Sequence, residues 1–205
     1  MNAMSTESKT KPKRPYELKE RARKQEETRQ RIAAAAASLH EEVGPARTTV
    51  TEIAKRAGVQ RLTVYKHFPT EIELFRGCSA HFMSEHPLPY LSKPLALEDP
   101  ERRVRETLSL LYGWFRETQA MTANIQRDRL LIPALDELVS TTSEPAVEWV
   151  AGELRDGFAA KGAGKEQIAA MLAVALNFWT WRRLDQAGLD DDAAAGLMAD
   201  AVARA

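Results

Sequence analysis

The sequence predicts an all-α protein of about nine helices, and three observations carry that expectation. No segment shows sustained period-two alternation bounded by hairpin turns. Apolar residues instead recur at spacings of three and four through most of the chain. Helix starts and stops are also spelled out: Thr49-Val50-Thr51-Glu52 and Thr70-Glu71-Ile72-Glu73 are capping boxes, Asp99-Pro100 is an N-cap followed by proline, and Gly44-Pro45 and Gly188 mark ends.

At 205 residues, against roughly 150 per domain, the chain is long enough for one or two small domains. With 44% hydrophobic and 28% charged residues it falls in the globular range. The single cysteine, Cys78, cannot form an intramolecular disulfide, and no Cys/His ligand spacing is present, which excludes a disulfide-stapled scaffold and predicts no metal site. The longest apolar stretch, Ile168 to Trp181, is interrupted by Asn177 and Thr180 and is shorter than the ~18 residues a membrane span requires. The N-terminus, with Ser5, Thr6, Glu7, Ser8 and Lys9, has no apolar signal segment, so the expected location is cytoplasmic.

Each element follows in order. Residues 1–20, with Lys9, Lys11, Lys13 and Arg14 among Pro12 and Pro15, read as a disordered basic arm; such an arm could lie along phosphates or be a plain tail. From Arg21 to Glu42 there is no proline or glycine, and Ile32, Ala35, Ala36, Leu39 and Val43 recur at helical spacing, giving a first helix that Gly44 and Pro45 stop. The Thr49 box starts a second helix, and the Thr70 box starts another that runs to about Glu85. Pro87, Pro89 and Pro94 mark a loop, after which Asp99-Pro100 opens a helix to about Thr118. A short helix is expected near Met121–Leu131, ended by Pro133, and another over Ala134–Ala160 with a break at Pro145 and an end at Gly162 and Gly164. A long apolar helix over Lys165–Ala187, closed by Gly188, and a last helix from Asp191 to Ala203 complete the chain.

Charge adds a functional pointer. The 29 basic and 29 acidic residues cancel overall, but residues 1–67 hold 15 of the former and 8 of the latter, a net +7 against −7 for the rest. A basic head on an acidic body suits nucleic acid, although a solvated lysine-rich tail gives the same count. The stretch Val50 to Phe68 separates the two readings. Ile53, Ala57, Val59 and Val64 are apolar, Ala54 is small enough for two helices to cross closely, and Gly58 at the junction tolerates positive φ. This is a helix-turn-helix pattern. The outward residues of its second helix, Gln60, Arg61, Thr63 and Lys66, are of the types that reach base edges or phosphates in a major groove.

Thr48-Thr49-Val50, Ile53-Ala54, Ala57-Gly58-Val59, Thr63-Val64-Tyr65 and His67-Phe68 closely resemble the DNA-binding head of the TetR family of transcriptional regulators, over about residues 24–78. The resemblance implies a helix-turn-helix DNA-binding domain over 21–70 and a helical effector-binding and dimerisation domain over 71–205. It implies phosphate contacts at Thr49 and Thr51, base reading by Gln60, Arg61 and Thr63, and backbone contacts from Tyr65 and His67, with Lys66 on the same face. Tyr65 read as core, or His67 read as a satisfied helix-end histidine, remains an alternative. Two positions depart from the family pattern. Leu62 stands where glycine or proline is usual and could meet a thymine methyl. Glu71 stands where the family carries a phosphate-binding lysine, a contact that Lys66 or Lys55 would have to replace.

The alanine-rich segments after residue 165 suit close helix packing, and the resemblance implies a homodimer through residues 165–203, an intersubunit four-helix bundle, with an ordinary monomer core as the alternative. Tyr112, Phe115, Asn124, Trp149 and Phe158, with Trp114 and Met121, could line an apolar effector cavity or serve as core. The expectation is a repressor bound to a near-palindromic operator and released by a small, largely apolar effector; an architectural or constitutive DNA-binding protein without an effector is the rival. His40, His67, His81 and His86 show no ligand spacing, and no phosphate loop or dinucleotide fingerprint is present, so neither an enzyme nor a cofactor is expected.

Overall fold

A computed structural model describes residues 14–159 and 162–205. Among them are eleven α-helices, two 3-10 turns and no strand. The helices are α1 (Arg14–Glu42), α2 (Val50–Ala57), α3 (Arg61–His67), α4 (Glu71–Glu85), α5 (Ser92–Leu95), α6 (Pro100–Glu117), α7 (Gln119–Asp128), α8 (Pro133–Arg155), α9 (Ala163–Ala175), α10 (Phe178–Gln186) and α11 (Asp191–Ala203). The all-α expectation holds, as do the two capping boxes, the Asp99 cap whose carboxylate accepts from the Glu101 and Arg102 amides, and the left-handed Gly58 at φ 66.

The boundaries differ in five places, each for a physical reason. The expected loop carries the one-turn α5, in which Pro94 is tolerated because a first-turn amide has no helical partner to lose. α1 begins at Arg14 rather than Arg21: Arg23 pairs with Glu20 one turn before it and Glu27 one turn after, local support that needs no buried face. The expected arm therefore reaches no further than residues 1–13, and these, with Lys9, Lys11 and Lys13, lie outside the described residues. α8 continues through Pro145 without a break. Proline withdraws the one ladder bond to the Thr141 carbonyl, but each end of the helix is anchored in a core. α8 ends at Arg155; Gly162 precedes α9, and Gly164 lies inside it. Finally, the expected helix 165–187 is two helices, because the Asn177 side chain accepts from the Trp179 amide at 2.8 Å and starts α10 anew. The restart brings Phe178 and Trp181 together against Phe115, with ring centroids 5.5 and 5.9 Å from it.

Two main cores result. Ile32, Ala36, Ile53, Ala54, Ala57, Val64, Phe68, Leu74 and Phe82 join α1 to α4. Val104, Leu108, Tyr112, Phe115, Leu154, Leu172, Trp181 and Val202 join α6 and α8 to α9, α10 and α11. Phe75 of α4 forms a smaller cluster with Leu135, Leu138 and Val139 of α8.

Between them, α7 grips the end of α1 through polar groups. Asn124 Nδ2 donates to the His40 and Glu41 carbonyls at 2.9 and 2.8 Å, and Arg127 donates to Val43 O at 3.3 Å. The Asp128 carboxylate, 1% exposed, accepts from the Ala46 amide at 3.0 Å. These contacts satisfy carbonyls that a helix end leaves unpaired. Burial opposes the Asp128 charge, but Arg127, the Ala46 amide and the Arg47 charge outweigh it and hold the carboxyl below its usual range.

Candidate nucleic-acid interface

The geometry of α2 and α3 follows from four buried side chains and one glycine. Ile53, Ala54 and Ala57 of α2 face Val64 of α3 inside the N-terminal core, and Val59 packs beside them. Gly58, left-handed, donates to Lys55 O, and Val59 donates to Ala54 O at 2.9 Å, which closes the turn. With Val64 1% exposed, α3 is fixed by its inner face and presents the other to solvent. Gln60, Arg61, Leu62, Tyr65 and Lys66 are exposed, and Thr63 and His67 half-buried. Leu62 is 76% exposed, an apolar side chain on an otherwise polar reading face.

The sequence-derived DNA residues differ in their environments. Arg61 does not extend freely: its Nη2 donates to the Tyr65 hydroxyl at 3.0 Å and the guanidinium lies 5.5 Å from that ring's centre. Arg61 and Tyr65 thus form one exposed unit, and Tyr65 is not core. Thr49 is committed locally. Its hydroxyl accepts from the Glu52 amide at 3.2 Å and donates to Glu52 Oε2 at 2.7 Å, so a phosphate would compete with a carboxylate for that proton. Thr51, the second residue of α2, is exposed. His67 is held below its ordinary pKa by burial, with Lys66 and Arg29 adding to the effect against Glu26, and the neutral imidazole is favoured.

The surrounding charges are distributed unevenly. Lys55 and Lys66 are exposed, while Arg56 is tied to Glu42 and to the Ser38 hydroxyl. Glu71 is exposed in the first turn of α4, where an acidic side chain suits the helix dipole. Arg29 of α1 went unnoticed in the sequence: its Nη1 donates to the His67 carbonyl at 2.6 Å. Nothing in the residue pattern separates it from Arg31 or Lys24 beside it.

Of the five effector candidates, Tyr112, Phe115 and Phe158 share the C-terminal core, while Asn124 and Trp149 lie apart from it. Tyr112 is fully buried, its hydroxyl donating to Ala175 O at 2.7 Å, and burial pushes its pKa up. Phe115 packs on Phe178 and Trp181, and Phe158 lies at the edge of the same core. Asn124 is occupied at the end of α1. Trp149 is 58% exposed on the outer face of α8. A concavity of about 450 Å3 lies between α9 and the C-terminal residues, lined by Met171, Val174 and Arg204 among others, and one of about 1190 Å3 lies between α1 and α4; none of the five candidates lines either. Among the described residues, no three His, Cys, Asp or Glu side chains converge as a metal site, and no helix is long and apolar enough to cross a membrane.

Comparison with known proteins agrees with this geometry. The family model for bacterial regulatory proteins, tetR family, matches residues 32–78, from the buried Ile32 of α1 to Cys78 of α4. An HTH-type transcriptional regulator of Mycobacterium tuberculosis is 28% identical over 150 residues, which span 71% of this chain and 76% of that protein. The nucleoid occlusion factor SlmA of Aliivibrio fischeri is 29% identical over 92 residues, 44% of this chain and 46% of its own. The crystal structure of NalD, the secondary repressor of the MexAB-OprM multidrug efflux pump in Pseudomonas aeruginosa, shares the fold with a TM-score of 0.58 at 22% identity, over 89% of this chain and 96% of that one. The family pattern thus falls on the residues that build the α2–α3 turn and seat it on α1 and α4, and residues 32–78 match the tetR family of bacterial regulatory proteins.

Proposed function

We propose that the protein acts as a homodimer that reads a near-palindromic operator with α3 and represses transcription until a small, largely apolar effector releases it. The observation that carries the reading is the exposed face of α3, where Gln60, Arg61, Thr63 and Lys66 stand on a helix whose inner side is buried at Val64. Tyr65, Thr51 and His67 flank that face and serve as backbone contacts; Thr49 contributes chiefly as the cap of α2. Two-fold pairing through α9, α10 and α11 is supported by Val174, Trp179 and Leu197, large apolar side chains left exposed on these helices. Two copies related in this way would present α3 to successive major grooves, about 34–36 Å apart.

Binding to DNA fragments from beside its own gene, titrated in salt against random DNA, tests the reading. Tight, saturable binding to a near-palindrome is the expected result; equal and salt-sensitive binding to every fragment would leave a merely basic head. Arg61→Ala should cost about 1–3 kcal/mol at one base position if Arg61 reads guanine, whereas equal loss on all sequences would reassign it to phosphate.

A second reading, a DNA-binding protein that works without a small effector, is favoured by the way the effector candidates are occupied: Tyr112, Phe115 and Phe158 pack in the C-terminal core. Tyr112 and Asn124 spend their polar atoms on backbone carbonyls within the fold. Strong operator binding that no apolar ligand weakens would select this second reading.

A further inference from the structure

The orientation of α3 depends on more than the turn before it. A helix of seven residues is too short to persist unaided, and its last carbonyls have no partners within it. Val64 secures its middle. At its C-terminal end, the His67 carbonyl receives Arg29 Nη1 at 2.6 Å, and the same guanidinium lies 4.2 Å over the ring of Phe68. Phe68 is 2% exposed, and its ring lies against α4 at Gly77, where an added Cβ would overlap ring atom Cε1. Glycine inside a helix is disfavoured relative to alanine, and a half-buried guanidinium gives up part of its hydration. Both costs converge on one ring at the end of the recognition helix.

We infer that Arg29, Phe68 and Gly77 form a lock that sets the angle of α3, and that Arg29 is a positioning residue for sequence discrimination rather than a phosphate contact. The inference rests on α3 being the DNA-reading element. Base contacts in a groove need donors and acceptors held within a fraction of an ångström, whereas flexible side chains re-aim readily at phosphates. Loosening the lock therefore weakens specific binding more than non-specific binding. Arginine suits the task because one planar group stacks on the ring while donating to the carbonyl, which a lysine ammonium does only in part. Alongside, the concavity between α1 and α4 is lined by Arg29, Phe68 and Gly77 themselves, leaving the ring room to move when crowded.

The test uses the full chain with Arg29→Met, Arg29→Lys and Gly77→Ala, measuring amide hydrogen exchange and DNA affinity across a salt series. Arg29→Met should speed exchange of the Thr63–Phe68 amides about tenfold and lower the ratio of operator to random-DNA affinity by about as much, with the salt slope unchanged; Arg29→Lys should fall between it and the parent. Gly77→Ala carries no charge change and improves helix propensity, yet should reproduce the same signature, because the added Cβ displaces the Phe68 ring on which Arg29 lies. Unchanged exchange in α3 would overturn the lock. So would an equal loss on all DNA with the salt slope reduced by about one, the mark of a phosphate contact. A parent protein that fails to distinguish any fragment from random DNA would instead reject α3 as a base reader, while the exchange arm still judges the lock.

Discussion

The cores at the two ends of the chain are built from different side chains for different purposes. Around α1 and α2 many buried positions are alanines, including Ala33, Ala35, Ala36, Ala37, Ala54 and Ala57. Around α6 and α10 the centre is aromatic, with Tyr112, Phe115, Phe178 and Trp181 packed together. Alanine lets backbones approach closely and has no side-chain rotamers to vary, so short helices are held in a definite relation. Large aromatics bury far more area per residue and supply bulk stability. The comparison teaches that the α2–α3 pair relies on close crossings and caps, whereas the aromatic bulk lies elsewhere, with α7 bonded to the end of α1.

Trp181→Ala should produce the largest effect, about 3–5 kcal/mol of lost stability by urea unfolding, since it empties the centre of the aromatic core and removes the indole bond to Asp191 at 2.9 Å. A loss below ~1 kcal/mol would show that the aromatic cluster is not where the cohesion resides. Acid should act next, at the join. Burial depresses the pKa of His40 to about 4, with Asp128 opposing, and its ring lies 3.3 Å from the buried Cys78 thiol, itself pushed up to about 12. A histidine depressed in the folded state takes up its proton more readily when unfolded. Its effect is therefore absent above pH 6.5, and stability falls as pH drops from 6.5 to 4, by about 3 kcal/mol in all. His40→Gln should flatten the stability–pH slope in that window, and an unaltered slope would remove His40 as its source.

Asp128→Asn sharpens the same contrast at smaller cost. It retains an acceptor for the Ala46 amide but loses the charged pair with Arg127 at 2.6 Å. The expected loss is about 1–3 kcal/mol, with the α1–α4 amides exchanging sooner than those of α6; uniform exchange across both would mean that α7 does not carry the join. The smallest change belongs to Thr70→Ala, which removes the α4 cap and should cost about 1 kcal/mol in chemical unfolding. No measurable cost would mean that packing of Leu74 and Phe75 alone holds that helix end.

These cases also mark what could be read beforehand. The caps at Thr49, Thr70 and Asp99 lay within four consecutive residues each, as did the stop at Gly58, and all were legible because the groups that interact are neighbours in sequence. Asn177 looked like a polar interruption of an apolar run, and Pro145 like a break. The first is a local N-cap that restarts the chain as α10, and the second is overruled by the anchored ends of the continuous α8. The exposed reading face was legible for the same reason as the caps, since a seven-residue helix with one buried valine leaves little choice of side. The surroundings of Tyr112, Phe115 and Trp149 were not, because composition cannot distinguish a buried aromatic from an exposed one.

By itself, then, the sequence determined the all-α class, the local starts and stops, the helix-turn-helix and the polar set on its second helix, all properties of residues within about two turns of one another. Tertiary structure alone decided that Asn124 serves the end of α1, that Asp128 holds the Ala46 amide, and that Arg29 meets the His67 carbonyl, 38 positions away. The physical reason is distance along the chain. A hydrogen bond between remote groups depends on how whole helices cross, and crossing is set by the summed packing of many side chains, none of which announces the partner it will meet.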